Sequence, residues 1–289
     1  MKELRYFKPE TWQEALTLKA EHGAAMRVLA GGTDLMVQLR EESKRLENVT
    51  MLLDLSAIEG MKDIEVGEKS IRIGALTTHS TLNYSPEIRK HAEFLAVAAS
   101  TVGSEQIRNL GTVGGNICNA SPAADTPSAL MALDARLVVK SLRGDRSLPL
   151  AEAYVKSGVL ALNDDEVVAA VEFDRVDGYS TAFIKVGRRK ALAISRMNMA
   201  VALLVKEGVI EDARIAPGCV FATPGRVERA EEFLKGKAPS EALFEACGDI
   251  VSQVMIEKTG VRWSTEYKKP VVEALTAQAL CRAAGIGEE

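Results

Sequence analysis

Apolar and polar positions along the first half of the chain predict short strands that alternate with amphipathic helices. The first helix is expected to follow Thr11, which with Glu14 forms a capping pair, and to end at Gly23. Further helical patterns cover 33–40, 86–100 and 128–133. Short apolar runs predict strands at 26–30, 51–55, 64–66, 70–75 and 136–141. The segment 103–127 is rich in glycine and small polar residues, and we expect it to be a loop.

The pattern changes near Phe183, where strands come first and helices follow. Apolar runs predict strands at 183–186, 194–206 and 209–215. Helical periodicity follows at 227–234, 240–257 and 266–285. The polar segment 174–178 lies between the two patterns. We therefore expect two domains that meet near 175–180.

Length and charge limit the class of protein. The chain has 289 residues, which corresponds to about two domains of ordinary size. Its 36 basic and 40 acidic residues give a net charge of −4, and a nucleic-acid partner is not expected because such proteins usually present a basic surface. The longest apolar run, 199–205, is too short to span a membrane, and residues 1–13 lack the apolar stretch of a secretory signal.

The cysteines indicate the compartment. Cys118, Cys219, Cys247 and Cys281 lie far apart, so no pair has the spacing of a zinc or iron–sulfur motif. Scattered thiols without an export signal are typical of a reducing compartment, and we expect a cytoplasmic protein. No metal site is predicted within this chain.

A glycine pair follows the predicted strand at 26–30. In Ala30-Gly31-Gly32-Thr33-Asp34 the strand runs directly into the start of a predicted helix. Glycine lets a ligand approach the backbone closely, and successive N–H groups in such a turn bind anions. A phosphate-binding turn is one interpretation. A tight strand–helix connection with Thr33 as the helix cap is the other.

A second glycine pair, Gly114-Gly115, lies within the segment 106–125 among hydroxyl, amide and carboxylate side chains. The small residues around it leave room for an extended ligand that bonds to backbone and side chains in turn. The alternative is a glycine-rich surface loop, although so long a loop inside a compact domain is unusual without a function. Two anion-binding loops in one domain suggest a dinucleotide diphosphate held between them.

Other nucleotide-binding and catalytic motifs are absent from the sequence. Neither glycine pair fits the Rossmann pattern G-x-G-x-x-G, and there is no P-loop, H-E-x-x-H or G-x-S-x-G motif. His22, His79 and His91 lie far apart, and we expect them on the surface or in the core rather than at a site. The acidic run 164–166 is expected to be a solvated turn. No side chain is therefore assigned a catalytic role.

The two glycine segments together resemble the FAD-binding loops of a known family. Residues 29–35, residues 107–116 and their continuation at 119–125 are similar to the medium flavoprotein subunits of molybdenum hydroxylases, the xanthine dehydrogenase and aerobic carbon monoxide dehydrogenase group. Residues 183–189 and 264–269 resemble the strand that enters that family's C-terminal domain and its final helix. The resemblance covers essentially the whole chain.

The resemblance implies an α+β fold with two domains. A vanillyl-alcohol-oxidase-like, PCMH-type FAD-binding domain would cover 1–176, with subdomains at about 1–56 and 57–176. A smaller α/β C-terminal domain of the CO dehydrogenase flavoprotein type would cover 177–289 and close over the flavin.

The resemblance also implies which residues hold FAD. The pyrophosphate would lie against the first glycine segment, and the diphosphate, ribityl or adenosine groups would bond to the second. Lys185 would lie toward the isoalloxazine, with Val168 as an apolar neighbour. The implied contacts from the two segments are Val28, Leu29, Ala30, Gly31, Gly32, Thr33, Asp34, Leu35, Thr112, Gly115, Asn116 and Asp125. Some relatives cover the flavin with an aromatic residue after the Lys185 strand, but residues 187–195 contain none.

The function that the resemblance implies is electron transfer. A molybdopterin-binding large partner would hydroxylate the substrate, and [2Fe–2S] clusters on a small partner would pass the electrons to FAD here and on to NAD or another acceptor. The basic run Arg188-Arg189-Lys190 would attract NAD phosphates, or is simply solvated or partner-facing. The alternatives are a stand-alone flavin oxidase of the same fold, for which no catalytic side chain can be nominated, and a non-catalytic module.

Overall fold

The structure, a computed structural model, describes residues 3–189 and 192–287. It begins with β1 (Arg5–Phe7), β2 (Met26–Leu29) and β3 (Met51–Asp54), which form a parallel sheet in the order β1–β3–β2. Helix α1 (Trp12–His22) connects the first two strands. The predicted cap of α1 is confirmed, because the hydroxyl of Thr11 accepts a hydrogen bond of 3.2 Å from the N–H of Glu14.

A five-stranded antiparallel sheet forms the body of the first part. The strands of this region are β4 (Ile64–Val66), β5 (Ser70–Gly74), β6 (Arg136–Lys140), β7 (Arg146–Pro149), β8 (Tyr154–Lys156), β9 (Val159–Leu160) and β10 (Val167–Asp174). The sheet has the order β4–β5–β10–β6–β7, and β8 pairs with β9 as a separate hairpin. The central strand β10 was not among the predicted strands. Its residues 167–171 are all buried, so they form a continuous apolar run rather than an alternating pattern.

Short helices cover this sheet and line its edge. They are α2 (Leu35–Arg40), α3 (His79–Tyr84), α4 (Pro86–His91), α5 (Glu93–Ser100), α6 (Glu105–Leu110), α7 (Val113–Asn119), α8 (Thr126–Ala132) and α9 (Leu150–Ala153). The prediction of one helix over 86–100 is wrong. The chain leaves helical geometry at Ala92, where φ is −156° and ψ is 54°, so that two helices form.

The prediction of a loop over 103–127 is also wrong, because α6, α7 and the start of α8 lie within it. Both Ser104 and Thr112 accept a backbone N–H with their side chains and thereby cap the helices that follow them. Val113 and Ile117, one helical turn apart, are both fully buried. This local capping and burial outweigh the low helix propensity of the two glycines in α7.

The last part of the chain has the predicted elements with small shifts at their ends. Strands β11 (Ser180–Gly187), β12 (Ser195–Lys206) and β13 (Val209–Gly218) form an antiparallel sheet in that order, and the helices are α10 (Glu228–Leu234), α11 (Glu241–Thr259) and α12 (Thr265–Ala284). In the regions 3–189 and 192–287, no helix is long and apolar enough to cross a membrane.

The third sheet joins two hydrophobic cores because successive residues of a strand point to opposite faces. Ala200 of β12 is buried in the first core, together with residues of α5 and α8. Its neighbours Met199 and Val201 are buried in the second core, which α10, α11 and α12 complete. The functional cavity described below lies on the first part, where the start of β12 reaches it.

Candidate functional site

A cavity of about 750 Å³ opens beside the parallel sheet. Its size falls within the usual range of ligand pockets, roughly 300–1,000 Å³. Both glycine segments contribute to the wall, as do residues 162–164 before β10 and residues 192–195 before β12. The two segments that the sequence singled out therefore meet at one site.

The first glycine segment forms the turn between β2 and α2. Gly32 has a φ of +69°, a conformation that favours glycine, and a Cβ on Gly31 would overlap the carbonyl oxygen of Leu110. The N–H groups of Gly32, Thr33 and Asp34 donate no hydrogen bond within the described part of the chain. The expected cap by Thr33 is wrong, since Asp34 precedes α2 and makes no side-chain cap. The turn thus offers free N–H donors that suit an anionic group.

The second glycine segment lies opposite the first. Gly114 is packed against the residue that follows β5, because a Cβ there would lie 2.6 Å from the Cβ of Ala75. Gly115 faces the first segment instead, and its Cβ position is 3.6 Å from the Cβ of Ala30. Asn116 follows in α7, and its side-chain oxygen accepts a hydrogen bond of 2.7 Å from Thr126. The glycines bring the two backbones together, and Thr126 fixes the orientation of the Asn116 amide.

A buried ion pair connects the cavity wall to the third sheet. The Lys185 ammonium lies 2.6 Å from the Asp125 carboxylate and 2.8 Å from the carbonyl oxygen of Thr101, to which it also donates. The amide of Asn198 donates to Asp125 at 3.3 Å, while its oxygen accepts from Ser128 at 2.6 Å. Burial raises the pKa of Asp125 above its usual value, and the Lys185 ammonium acts in the opposite direction.

Most of the residues that the sequence analysis placed at the site line this cavity. They are Val28, Ala30, Gly31, Gly32, Thr33, Asp34, Leu35, Thr112, Gly115, Asn116, Asp125 and Val168. Leu29 and Lys185 are not among its lining residues. The Leu29 side chain lies beneath the turn, where its Cδ1 would be 3.3 Å from a Cβ on Gly32. Lys185 instead reaches the cavity indirectly, through Asp125.

Several polar side chains at the cavity were not assigned from the sequence, among them Arg27, Cys118 and His79. Arg27 lines it from β2, and Cys118 lines it from α7. Burial raises the pKa of Cys118 to about 11, so the thiol stays protonated and is not a nucleophile. His79 is buried, as expected of a core histidine, and it also lines the cavity. No motif marks these residues, and only the fold brings them together.

The expectation that the acidic run 164–166 is fully solvated is wrong for Glu166. Its carboxylate is buried and accepts two hydrogen bonds from Arg146, at 2.7 and 2.9 Å. The N–H of Asn163 donates a third bond of 2.7 Å. These bonds, the Arg146 pair first among them, lower the pKa of Glu166 to about 2. The run therefore includes a structural carboxylate that fixes the turn before β10.

The arrangement suits a long ligand with an anionic middle and apolar or uncharged ends. Free N–H groups, two close glycine segments and oriented hydroxyl and amide side chains are what a dinucleotide diphosphate requires. Within the ranges that the structure covers, no three His, Cys, Asp or Glu side chains are grouped to hold a metal ion. The residues present thus fit a bound dinucleotide.

Each of the two parts of the chain matches a known protein family. Residues 2–173 match the family described as the FAD binding domain in molybdopterin dehydrogenase. Residues 182–283 match the CO dehydrogenase flavoprotein C-terminal domain. The first match contains both glycine segments, and the second contains the helices that close the second core.

Individual relatives and solved structures are similar to this chain over nearly its whole length. The nicotinate dehydrogenase FAD-subunit of Eubacterium barkeri is 36% identical over 281 residues, which is 95% of this chain and 94% of that protein. The xanthine dehydrogenase FAD-binding subunit of Escherichia coli O157:H7 is 30% identical over 280 residues, which is 96% of this chain and 95% of that protein. A chain of the carbon monoxide dehydrogenase structure from Hydrogenophaga pseudoflava superposes with a TM-score of 0.90 at 25% identity, covering 98% of both chains. This chain therefore belongs to the FAD-binding medium subunits of the molybdenum hydroxylase family, and FAD is its cofactor.

Proposed function

We propose that this chain is the electron-transfer subunit of a molybdenum-containing hydroxylase or dehydrogenase. In this proposal a small partner subunit supplies electrons from [2Fe–2S] clusters, and a large molybdopterin-binding partner oxidises the substrate. The electrons leave to an external acceptor such as NAD. Bound FAD supplies the redox chemistry, while the protein supplies binding, orientation and electrostatics.

The observation that carries the proposal is the cavity between the two glycine segments. It offers N–H donors and oriented polar groups for a dinucleotide, yet its cysteine is a protonated thiol. A stand-alone oxidase normally places an activated acid, base or nucleophile beside its substrate. An electron-transfer subunit needs none, because the substrate is oxidised on the molybdopterin-binding partner.

In the proposed arrangement each residue has a defined task. The N–H groups at 31–34 hold the pyrophosphate, with Val28, Leu29 and Leu35 as supporting neighbours. Thr112, Gly115 and Asn116 bind the diphosphate, ribityl or adenosine portions from the opposite wall. Val168 forms an apolar wall, and Lys185 acts on the flavin side of the cavity through its pair with Asp125.

The acceptor side is proposed to include Arg188 and Arg189, which follow Val186 and Gly187 at the end of β11. Residues 192–195, just beyond them in the chain, line the cavity, and the Arg189 guanidinium donates to the carbonyl oxygen of Leu192. Lys190, the third basic residue of this run, lies outside the described residues. Positive charge there would attract the phosphates of NAD. Nucleic acid is not a proposed partner, because the whole chain carries a net charge of −4.

We also propose the division into an FAD-binding domain, 1–176, and a C-terminal domain, 177–289. The end of β10 at Asp174 and the start of β11 at Ser180 support this boundary. Cys118, Cys219, Cys247 and Cys281 are all free thiols, which supports a reducing, cytoplasmic location.

The test is to purify the full chain, measure flavin absorbance and assay dye reduction with NADH. Bound FAD with NADH–dye activity, and no oxidation of an organic substrate, is the expected result. Turnover of an organic substrate by the isolated chain would favour a stand-alone oxidase. Protein that cannot be reconstituted with FAD would favour a non-catalytic module. Mass spectrometry of the native complex would then identify the partner subunits.

A further inference from the structure

His79 is held against the second glycine segment by the backbone. Its N–H donates a hydrogen bond of 3.0 Å to the carbonyl oxygen of Gly111, and the N–H of Val113 donates one of 3.0 Å to Thr77. Thr78 and Thr112 form an isolated antiparallel bridge between these two bonds. These backbone hydrogen bonds join the start of α3 to the residues before and after Thr112. They hold His79 next to the cavity wall.

The ring of His79 lacks hydrogen-bond partners although it is almost entirely enclosed. The residue is 2% exposed and lines the cavity. Nδ1 is buried without a partner, and in the described part of the chain no group bonds to Nε2 either. A buried polar group without a partner is rare in native proteins and destabilising. Nδ1 has no accessible surface through which a ligand could reach it, so a partner supplied by a ligand in the cavity must bond to Nε2.

Gly111 lies beside the ring edge that carries Nε2. A Cβ on Gly111 would lie 3.2 Å from Cδ2 and 3.7 Å from Nε2 of His79. The edge with Cδ2 and Nε2 therefore faces the second glycine segment, while Nδ1 is enclosed by protein. Nε2 also has no partner among the described residues, but unlike Nδ1 it is not fully enclosed, so it is the nitrogen that can meet a group in the cavity.

Burial, with a smaller contribution from the Arg108 cation, lowers the pKa of His79 to about 4. The ring is therefore neutral at physiological pH and carries one proton on one of its nitrogens. The diphosphate of FAD offers only acceptor oxygens, so a useful contact requires the proton on the exposed nitrogen. A neutral donor provides this bond without the large desolvation cost of an enclosed cation.

We propose that His79 is an FAD-binding residue whose neutral ring is protonated on Nε2 and donates a hydrogen bond to an acceptor oxygen of the cofactor. Nδ1 then remains an unprotonated, enclosed nitrogen. The inference rests on the FAD binding of the family and is independent of the proposed electron transfer.

The first test compares His79→Leu and His79→Gln with a matched control, His22→Gln, whose parent ring does not line the cavity. Full-length apoprotein is titrated with FAD, and thermal unfolding of each apoprotein is recorded. His79→Leu should bind FAD about 10- to 100-fold more weakly, since it loses a donor to a charged or polar acceptor. His79→Gln retains an N–H donor at a similar reach and should stay within about threefold of the parent. Unchanged FAD affinity in a folded His79→Leu protein would overturn the proposal.

The second test measures the parent protein, and a variant serves only to assign its resonances. The chain has only three histidines, so NMR spectra of nitrogen-labelled protein resolve the ring nitrogens, and His79→Gln assigns them. The expected result with FAD bound is the Nε2–H tautomer, with a shift of its resonance when FAD is added to apoprotein. A proton on Nδ1, or a ring that does not respond to FAD, would refute the inference. Either outcome leaves FAD binding by the parent chain, measured in the same titration, unaffected.

Discussion

Glycine is required at three positions of the cavity wall for different physical reasons. Gly31 lies against the Leu110 carbonyl, and Gly114 lies against Ala75, so each allows two backbone segments to pack closely. Gly115 faces Ala30 across the cavity wall. The sequence indicated that both pairs matter, but it could not separate close packing from ligand access. That distinction depends on which segment lies opposite, and only the tertiary structure supplies it.

Gly115→Val should reduce FAD affinity. A Cβ at this position lies 2.9 Å from Thr112 Oγ1 and 3.6 Å from the Ala30 Cβ, so a branched side chain would push the two segments apart. Overpacking of this kind typically costs about 1–3 kcal/mol, so FAD should bind about 5- to 150-fold more weakly. Titration of apoprotein with FAD measures the effect.

Gly225→Val is the matched control for this substitution. A Cβ on Gly225 meets no atom within 4 Å, and its φ is not in the left-handed region. We expect unchanged FAD affinity in the control. Equal affinities in both variants would show that Gly115 does not border the bound dinucleotide.

Asn198 is the residue on which the polar connection between β12 and α8 depends. Its fully buried amide contacts Asp125, Ser128 and Ser195 at 3.3, 2.6 and 3.2 Å. Asn198→Ala should lower the free energy of unfolding by about 1–3 kcal/mol, because it leaves buried groups without partners. Urea denaturation measures this loss. Asn48→Ala, at an exposed position, is the control, and an equal effect in both would contradict a role for the network.

At the scale of elements, the sequence predicted well what depends on local pattern. The strands and helices predicted over 183–285 are confirmed, because apolar runs and helical periodicity are local signals. Strand β10 was missed although its residues 167–171 form an apolar run like those of the predicted strands, and α7 was missed because its glycines suggest a loop. In both cases the deciding interaction is long-range: β10 lies between β5 and β6, and α7 packs through Gly114 on Ala75.

The Arg146–Glu166 pair stabilises one end of the five-stranded sheet, because it connects β7 to the turn before β10. Because the pKa of Glu166 falls from 4.5 to about 2 on folding, its stabilising effect is complete above pH 4.5 and is lost as the pH falls toward 2. Glu166→Gln should therefore lower the free energy of unfolding near pH 7 by about 2–3 kcal/mol.

Chemical denaturation at several pH values checks this prediction. The difference between the parent and Glu166→Gln should be constant at neutral pH and should shrink as the pH falls below 4.5. Glu68→Gln, in the exposed turn between β4 and β5, should show no such difference. A difference between parent and Glu166→Gln that does not change with pH would mean that the carboxylate charge is not what stabilises the turn.

At the scale of the whole molecule, the two proposed domains share one sheet. Phe183, Ala200 and Ala216 of the third sheet are buried in the first core, while Met199 and Val201 are buried in the second. The sequence predicted a boundary near 175–180 from polarity alone. It could not show that the strands after this boundary complete the core before it, because burial on both faces of a sheet depends on what packs there.

This shared sheet predicts that the full chain unfolds as one cooperative unit. Separating 1–176 from the rest would expose the surface of α5 and α8 that covers Phe183 and Ala200, and it would remove the Lys185 partner of buried Asp125. An unpaired buried carboxylate is strongly destabilising. Calorimetry of the full apoprotein should give one transition whose calorimetric and van't Hoff enthalpies agree, and a fragment of residues 1–176 should melt at a lower temperature. Two resolved transitions, or a fragment as stable as the full chain, would show instead that the third sheet belongs energetically to the C-terminal domain alone.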